Sequence, residues 1–379
     1  MEWDTRVIHD GQASDPETGA VNVPIYLSST FRQSFPGAPQ SFVYSRTGNP
    51  TRAALERILA RLEGGAGALA FGSGLAAISA LFMSYPSGSR IVAGDDLYHG
   101  AQRLLELSRT HGVRVDFVDT TNLANVRRAF AEGPAVDMLY LETPTNPLLK
   151  ITDLRGAIAI ARRARTRVAV DNTFASPVFQ RPLELGADIV VHSTTKYIGG
   201  HSDVVGGALV VRSPALLKKL YWFQNSAGGV PSPFDCYLMI RGVRTLGVRV
   251  RQHAANAQRV AEYLQGHPKI VRALYPGLPH HPGHAVARRQ MDGYGGMVSA
   301  EVAGGRAAAI RVARRLRVFT LGESLGGVES LVNHPSLMTH RAMPPAEQKV
   351  KGISGGLLRL SVGIEDAEDL VEDLRQALG

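Results

Sequence analysis

Short runs of hydrophobic residues alternate with helical patterns from about residue 51 to about residue 245. The runs predict strands at Ala68–Phe71, Arg90–Ala93, Val113–Val118, Met138–Leu141, Arg167–Val170, Asp188–Val191 and Ala208–Val211. Near-continuous hydrophobicity, with helices in between, is typical of a mostly parallel sheet that is covered on both faces. The pattern therefore predicts an α/β fold with a central sheet flanked by helices, and such sheets bind ligands in loops at the carboxyl ends of their strands.

The pattern changes after about residue 245. A long helical segment reaches Gly266, and the elements predicted after it are strands at Ile270–Tyr275, Met297–Val302 and Leu357–Val362 and a final helix at Glu365–Leu378. This mixture predicts a smaller C-terminal α+β domain over residues 246–379, after a large domain over residues 51–245. Residues 1–50 are rich in Pro, Gly, Ser and Thr, with short extended pieces such as Val21–Tyr26, and they predict an arm that packs on another surface.

The segment Gly64–Ser89 has no charged residue and is therefore the stretch to test as a membrane span. Gly and Ser interrupt it, and its apolar part, Leu75–Met83, is too short to cross a bilayer. The segment instead predicts a strand, a glycine turn and a buried helix. The one cysteine, Cys236, lies among apolar neighbours, and the first residues lack the pattern of a secretory signal. We therefore expect a reducing, cytoplasmic location and a core position for Cys236.

Basic residues outnumber acidic ones in this chain of 379 residues, and 42 Lys and Arg against 33 Asp and Glu give a formal net charge of +9. A non-catalytic protein that binds an acidic partner is one interpretation of this excess. The densest basic part, Arg311–Arg317, predicts an amphipathic helix with a solvated side. No nucleic-acid motif accompanies the charge, so we expect no nucleic-acid partner. His280, His281 and His284 lack metal-ligand spacing, and we expect no metal site.

A lysine and an aspartate lie at the ends of two predicted strands. Lys196 follows one strand and Asp171 ends the strand before it, so both side chains are expected at one edge of a parallel sheet. Pyridoxal 5′-phosphate (PLP) requires a lysine that binds it covalently, a carboxylate that keeps its ring nitrogen protonated, and donors for its phosphate. The glycine turn at Phe71–Ala77 offers backbone amides to an anion, and Ser193 and Thr195 add hydroxyl groups. Taken singly, these features also fit a surface lysine and a structural turn.

Several motifs, in order along nearly the whole chain, make the sequence similar to one family. They are Tyr44–Thr51, Glu142–Pro147, Val170–Thr173, Ser193–Tyr197, Gly200–Asp203, Glu323–Gly327 and Leu358–Gly363. With them the chain resembles the Cys/Met-metabolism pyridoxal-phosphate enzymes, which include cystathionine γ-synthases, cystathionine γ- and β-lyases and methionine γ-lyases. The resemblance implies an aspartate-aminotransferase-like fold of type I, a PLP cofactor, and a homotetramer built from two active-site dimers.

The resemblance also implies which residues bind the cofactor. Lys196 would carry PLP and shuttle protons, and Asp171 would pair with the ring nitrogen. Tyr98 would stack on the ring and exchange a proton with the leaving group. The phosphate would be held within the chain by Gly74, Leu75, Ser193 and Thr195, and from a neighbouring subunit by Tyr44 and Arg46.

Another set of matching residues is implied for the substrate. Arg359 would bind the substrate α-carboxylate, with Asn146 and the Ser324 backbone beside it, while Glu323 and Arg103 fit the branch that handles cystathionine. The implied activity is that of a cystathionine γ-lyase, which converts L-cystathionine and water to L-cysteine, 2-oxobutyrate and ammonia. The alternatives are γ-replacement on an O-acylhomoserine, as in cystathionine γ-synthases, and then the β-elimination of cystathionine β-lyases.

The chain departs from the family around the tyrosine loop. The usual Tyr-Gly-Gly-Thr is here Tyr98-His99-Gly100-Ala101, so a hydroxyl group is missing and a histidine is added. Methionine γ-lyases typically have a cysteine at the position of Gly100, which disfavours that activity. Val43 stands where several cystathionine enzymes have an acidic residue that binds the distal ammonium group.

Overall fold

The computed structural model describes residues 1–379. Its strands are β1 Gly67–Phe71, β2 Arg90–Gly94, β3 Arg114–Val118, β4 Met138–Glu142, β5 Arg167–Asp171, β6 Ile189–His192, β7 Gly207–Val211, β8 Ile270–Leu274, β9 Met297–Val302, β10 Thr320–Leu321, β11 Leu331–Asn333 and β12 Leu357–Ser361. Its helices are α1 Trp3–His9, α2 Pro50–Glu63, α3 Gly74–Met83, α4 His99–Thr110, α5 Leu123–Ala131, α6 Leu154–Arg163, α7 Ser176–Phe179, α8 Pro182–Leu185, α9 Pro214–Ala227, α10 Pro233–Val243, α11 Leu246–Gly266, α12 His284–Gln290, α13 Gly305–Arg315, α14 Pro345–Val350 and α15 Ala367–Leu378.

The large sheet has seven strands in the order β1-β7-β6-β5-β4-β2-β3. β7 runs antiparallel to its neighbours β1 and β6, and the other pairs are parallel. Every strand predicted between residues 51 and 245 is present in this sheet. The predicted α/β fold with a mostly parallel central sheet is therefore confirmed.

Hydrophobic side chains cover both faces of this sheet, as the continuous apolar runs predict. In β1, Ala68 and Ala70 belong to the core cluster that includes residues of α2 and α10. Leu69 and Phe71, which alternate with them, belong to the opposite cluster with α3. Because successive strand residues point to opposite faces, one short strand contributes to both layers. Cys236 lies fully buried in the first of these clusters, as predicted.

The smaller sheet has five strands in the order β10-β11-β12-β9-β8. The sequence predicts β8, β9 and β12, whereas β10 and β11 have only two and three residues, too few to show a period. The predicted amphipathic helix near Arg311–Arg317 is α13, which ends earlier, at Arg315. The chain turns there because the Asp373 carboxylate accepts hydrogen bonds from the backbone amides of Arg317 and Val318, each at 2.8 Å.

The N-terminal segment leads into α2, the helix that precedes the first strand of the large sheet. Asn49 caps this helix by accepting hydrogen bonds from the amides of Thr51 and Arg52. Between α1 and this cap the chain forms turns and irregular segments, with one bridge between Thr30 and Tyr44. The division into an arm and two domains at residues 50 and 245 stays a prediction. No helix combines the length and hydropathy that spanning a membrane requires.

Candidate active site

Three parallel strands of the large sheet end side by side at the site. Glu142, the last residue of β4, is in register with Asp171, the last residue of β5, which is in register with Val191 of β6. The carboxyl ends of parallel strands meet at one edge, and Lys196 follows β6 at that edge. A cavity of about 360 Å³ opens there. The predicted site residues that line it are Gly74, Leu75, Tyr98, Asn146, Asp171, Ser193, Thr195, Lys196, Glu323, Ser324 and Arg359.

Lys196 is held by a residue from the C-terminal half of the chain. Its Nζ donates a hydrogen bond of 2.6 Å to the Ser324 Oγ. Burial and the nearby Arg359 guanidinium lower the pKa of Lys196 to about 8, and the carboxylate of Glu323 opposes this shift. A lysine with a lowered pKa is more often neutral near physiological pH, which is the form that attacks a carbonyl group or accepts a proton.

Asp171 provides a buried carboxylate at the same edge. Its Oδ1 accepts a hydrogen bond of 3.0 Å from the Thr173 amide, and its Oδ2 lies 3.5 Å from the Tyr140 hydroxyl. Burial raises the pKa of Asp171, because the site has too little water to solvate the charge. No lysine or arginine forms a salt bridge with this carboxylate, so a protonated ring nitrogen would provide the missing cation.

The predicted phosphate site lies where α3 begins. Ser73 caps the helix by accepting a hydrogen bond from the Ala76 amide, so the amides of Gly74 and Leu75 precede the first helical hydrogen bond. A Cβ at Gly74 would lie 2.9 Å from the Ser193 Cβ, closer than real contacts allow. Glycine at this position therefore lets Ser193 approach the helix terminus, where amides and a hydroxyl together suit a phosphate group.

Thr195 differs from Ser193 in its hydrogen bonding. Its Oγ1 donates to the Gly206 carbonyl at 3.1 Å and accepts from the Gly206 amide at 3.0 Å. Its single hydroxyl proton is thus already used, and Thr195 can donate to a phosphate only after its hydroxyl leaves the Gly206 carbonyl. With Lys196, Asp171 and the amides of α3, the residues present fit PLP.

Arg359 lies on β12 and projects into the same cavity. Its Nη1 donates to the Asn146 Oδ1 at 2.9 Å and its Nη2 donates to the Ser324 carbonyl at 3.0 Å, while its buried Nε has no partner. Burial lowers the pKa of Arg359 to about 10, so the guanidinium remains charged at neutral pH. A fixed guanidinium with an unused N–H group is suited to binding a carboxylate.

Glu142 has a structural role that the motif alone did not reveal. Its Oε2 accepts a hydrogen bond of 2.8 Å from the Tyr98 amide, and its Oε1 accepts one of 3.0 Å from the Asn146 amide. One buried carboxyl group therefore fixes the two loops that carry Tyr98 and Asn146. Burial and the neighbouring Asp171 raise the pKa of Glu142 well above its ordinary value. In the sequence, the position of Glu142 at the end of a strand and inside a matched motif is the signal that indicates a role at this site.

We predict that Glu142→Gln lowers kcat/KM by about tenfold, because the amide group of glutamine replaces one of the two accepting oxygen atoms. Steady-state kinetics would measure the effect, and thermal unfolding would show whether the variant is folded. Glu106→Gln, on the exposed side of α4, is the matched control and should leave kcat/KM unchanged. Equal rates for Glu142→Gln and the unmodified chain would remove this role for Glu142.

The remaining predicted residues lie outside this cavity. Arg103 lines an adjoining cavity that also includes Tyr98, His99 and Glu323. Arg46 donates a hydrogen bond of 2.7 Å to the Asn225 carbonyl and lies over the Tyr44 ring, with its guanidinium carbon 5.5 Å from the ring centre. Tyr44 is 44% exposed and does not reach the cavity of its own chain. No group of three or more His, Cys, Asp or Glu side chains is arranged to hold a metal ion.

A family model described as Cys/Met metabolism PLP-dependent enzyme matches residues 4–379. A cystathionine gamma-synthase of Mycobacterium tuberculosis is 52% identical over 378 residues, covering 99% of this chain and 96% of the relative. A cystathionine beta-lyase of Coxiella burnetii is 47% identical over 378 residues, covering 99% and 97%. The crystal structure of a cystathionine gamma-lyase from Lactobacillus plantarum, complexed with L-serine, is 44% identical and superposes with a TM-score of 0.96, covering 100% of this chain and 98% of that one.

Proposed function

We propose a reaction for this chain, which belongs to the Cys/Met metabolism PLP-dependent enzymes. The proposed reaction is γ-elimination, in which L-cystathionine and water give L-cysteine, 2-oxobutyrate and ammonia. The observation that carries its first step, removal of a proton from the substrate Cα, is the arrangement around Ser324. Its hydroxyl group accepts the hydrogen bond from Lys196, and its carbonyl accepts one from Arg359. The base and the carboxylate-binding group are therefore fixed relative to each other.

PLP, when bound, supplies an electron sink that stabilises the negative charge left when a proton is removed next to the amino group. Lys196 is the proposed base: it would take the proton from the substrate Cα, give that proton up to the bound cofactor, and in its neutral form then take a proton from Cβ. Arg359 holds the α-carboxylate so that Cα lies near Lys196. Asp171 is the proposed partner that keeps the cofactor nitrogen protonated.

Glu323 supports chemistry at Cγ rather than at Cβ. It lines both the main cavity and the adjoining one with Arg103, so it lies where the distal half of a long substrate would extend. The resemblance assigns an acid at this position to γ-synthases and γ-lyases. A second candidate is γ-replacement, in which cysteine displaces the acyl group of an O-acylhomoserine. The 52% identity to a cystathionine gamma-synthase supports it.

Product analysis distinguishes these reactions. The purified holoenzyme would be incubated with L-cystathionine, and separately with O-succinylhomoserine and cysteine, and the products identified by mass spectrometry. γ-Elimination predicts cysteine and 2-oxobutyrate in the first mixture. Homocysteine and pyruvate would instead establish β-elimination. Cystathionine formed in the second mixture, with no turnover in the first, would establish γ-replacement.

We expect Tyr98→Phe to lower kcat about 100-fold and to change KM little. The hydroxyl group is the proposed proton donor to the leaving sulfur, and loss of a general acid typically costs 10²- to 10⁴-fold. Phenylalanine keeps the ring, and the Tyr98 amide keeps its hydrogen bond to Glu142. Tyr237→Phe, at a half-buried position on α10, is the control. Full turnover by the Tyr98 variant would exclude proton transfer from this residue.

Tyr44 and Arg46 are proposed to complete the active site of a neighbouring subunit, since they do not reach their own. Arg46→Ala is then expected to weaken PLP binding about tenfold through loss of a charge-assisted hydrogen bond. At a PLP concentration that leaves the Arg46→Ala sites mostly empty, mixing Arg46→Ala chains with inactive Lys196→Ala chains should raise activity, because one site of the mixed dimer has both residues. The control is a mixture of Arg46→Ala chains with chains that carry both Arg46→Ala and Lys196→Ala, in which no site has both residues. An absence of recovery in mixed dimers would contradict a shared site.

A further inference from the structure

A cavity of about 400 Å³, distinct from the adjoining cavity that Arg103 lines, shares no residue with the catalytic one. It lies between the chain that follows the Asn146 loop, the edge strand β8 and the loop before α12. This loop contains His281, from the histidine cluster that the proposed reaction does not use. The lining residues are Thr121, Leu148, Lys150, Ile151, Arg272, Leu274, His281, Pro282, Gly283, Val286, Lys351 and Gly352.

All the side chains in this lining that carry a formal charge are positive. Lys150, Arg272 and Lys351 belong to the lining, and no carboxylate does. Each cation has one acidic partner outside the lining: Lys150 Nζ lies 3.3 Å from Asp95, Arg272 Nε 2.7 Å from Glu301, and Lys351 Nζ 3.4 Å from Glu347. Lysine has three N–H donors and arginine five, so these cations keep donors for a ligand.

Apolar side chains form much of the remaining lining, among them Leu148, Ile151, Leu274 and Val286. His281 is buried, and its Nδ1 accepts a hydrogen bond of 3.0 Å from the Gly283 amide. Burial lowers the pKa of His281 to about 4, so it is neutral and adds no charge at physiological pH. The cavity therefore combines three fixed cations with an apolar surface, which is the complement of an organic anion.

We propose that this cavity binds a small organic molecule with an apolar body and at least two negative charges, carried by carboxylates or by a phosphate ester. Two negative charges are required because three cations line the cavity and because a single carboxylate would compete poorly with the acidic partners already present. The proposal concerns binding and does not depend on which substrate the catalytic cavity turns over.

Lys150 links this cavity to the catalytic loops. The backbone amide of Lys150 donates to the Thr145 Oγ1 at 2.9 Å, and the Thr145 hydroxyl in turn donates to Asp96. The Lys150 Nζ forms a salt bridge with Asp95. Asp95 and Asp96 lie shortly before Tyr98, and Thr145 directly precedes Asn146. An anion that draws Lys150 away from Asp95 removes one of the contacts that fix the two loops. Occupation of the cavity is therefore expected to lower kcat.

Calorimetry on the holoenzyme tests the site with three probes at constant ionic strength. Phthalate carries two carboxylates on an aromatic ring, phenyl phosphate carries a phosphate ester on the same ring, and benzamide is uncharged. We expect saturable binding of at least one dianion and none of benzamide. Comparison of the two dianions shows which charged group the cavity prefers.

Two variants identify where the dianion binds. Arg272→Gln and Lys351→Gln should each weaken binding about tenfold, since each removes a charge-assisted contact. Arg289→Gln, whose arginine pairs with Asp153 outside the cavity, is the matched control and should bind as the unmodified chain does. No saturable binding, equal binding of benzamide, or unchanged affinity in both variants would overturn the site. Binding without a change in kcat would overturn the link through Lys150.

Discussion

Lys196→Ala is expected to lower turnover by roughly 10⁴-fold or more and to remove the visible absorption band of the bound cofactor. The variant loses both the group that holds PLP covalently and the proposed base. Lys196→Arg should be equally inactive, because a guanidinium stays protonated at neutral pH and is not a nucleophile. Absorption spectra and steady-state kinetics on the two variants measure both effects.

The control for this prediction is Lys218→Ala, which changes an exposed lysine on α9. It should retain both the absorption band and full activity. A Lys196→Ala protein that keeps the band would show that PLP is attached elsewhere. A Lys196→Ala protein that keeps the turnover would show that another group is the base.

Arg359→Leu is expected to lower kcat/KM by roughly 30-fold to several thousand-fold, mainly through KM. Removing one partner of a buried charge pair costs about 2–5 kcal/mol, and each 1.4 kcal/mol is tenfold. The leucine would also leave the Asn146 side chain and the Ser324 carbonyl without their donor. Arg359→Lys keeps the charge but loses the paired N–H groups, so it should recover only part of the lost activity.

The visible absorption band of PLP, measured on the Arg359 variants, distinguishes a loss of substrate binding from a loss of cofactor binding. Arg359 is proposed to bind substrate only, so its variants should keep the absorption band that Lys196→Ala loses. Arg259→Leu, at an exposed arginine that pairs with Glu368, is the control for loss of a positive charge. An unchanged KM in Arg359→Leu would contradict the assignment of the α-carboxylate site.

The strand ends of the large sheet could be predicted because parallel strands have a clear sequence pattern. Each strand is a short apolar run, and the residues that follow it share one edge, so Asp171 and Lys196 were expected to be close. The structure places both in one cavity. The short strands β10 and β11 show no such pattern, since β11 is positioned by its pairing with β12 and β10 by its pairing with β11 rather than by their own residues.

Contacts between distant parts of the chain could not be predicted from patterns. Ser324 contacts Lys196 across 128 positions, and Glu142 reaches the amide of Tyr98 across 44. Neither contact follows from a period or a local propensity. The direction of the Thr195 hydroxyl toward Gly206 is likewise set by tertiary packing.

Relatives named for different reactions share this scaffold, so a few side chains around the leaving group determine the reaction. In this chain we propose Tyr98, Glu323 and Arg103 for this role, and they line the adjoining cavity together with His99. Among the departures from the family, His99 lines this adjoining cavity. Its ring lies 5.9 Å from that of His340, measured between ring centres.

The lysine to which PLP is attached decides whether the cavity beside Lys196 is the active site. The holoenzyme would be reduced with sodium borohydride, which fixes PLP to the lysine that holds it, and then digested and mapped by mass spectrometry. We predict a pyridoxyl phosphate group on the peptide that contains Lys196 and on no other lysine. A modified lysine elsewhere, or a protein that carries no modification after loading with PLP, would contradict the assignment of this cavity as the active site.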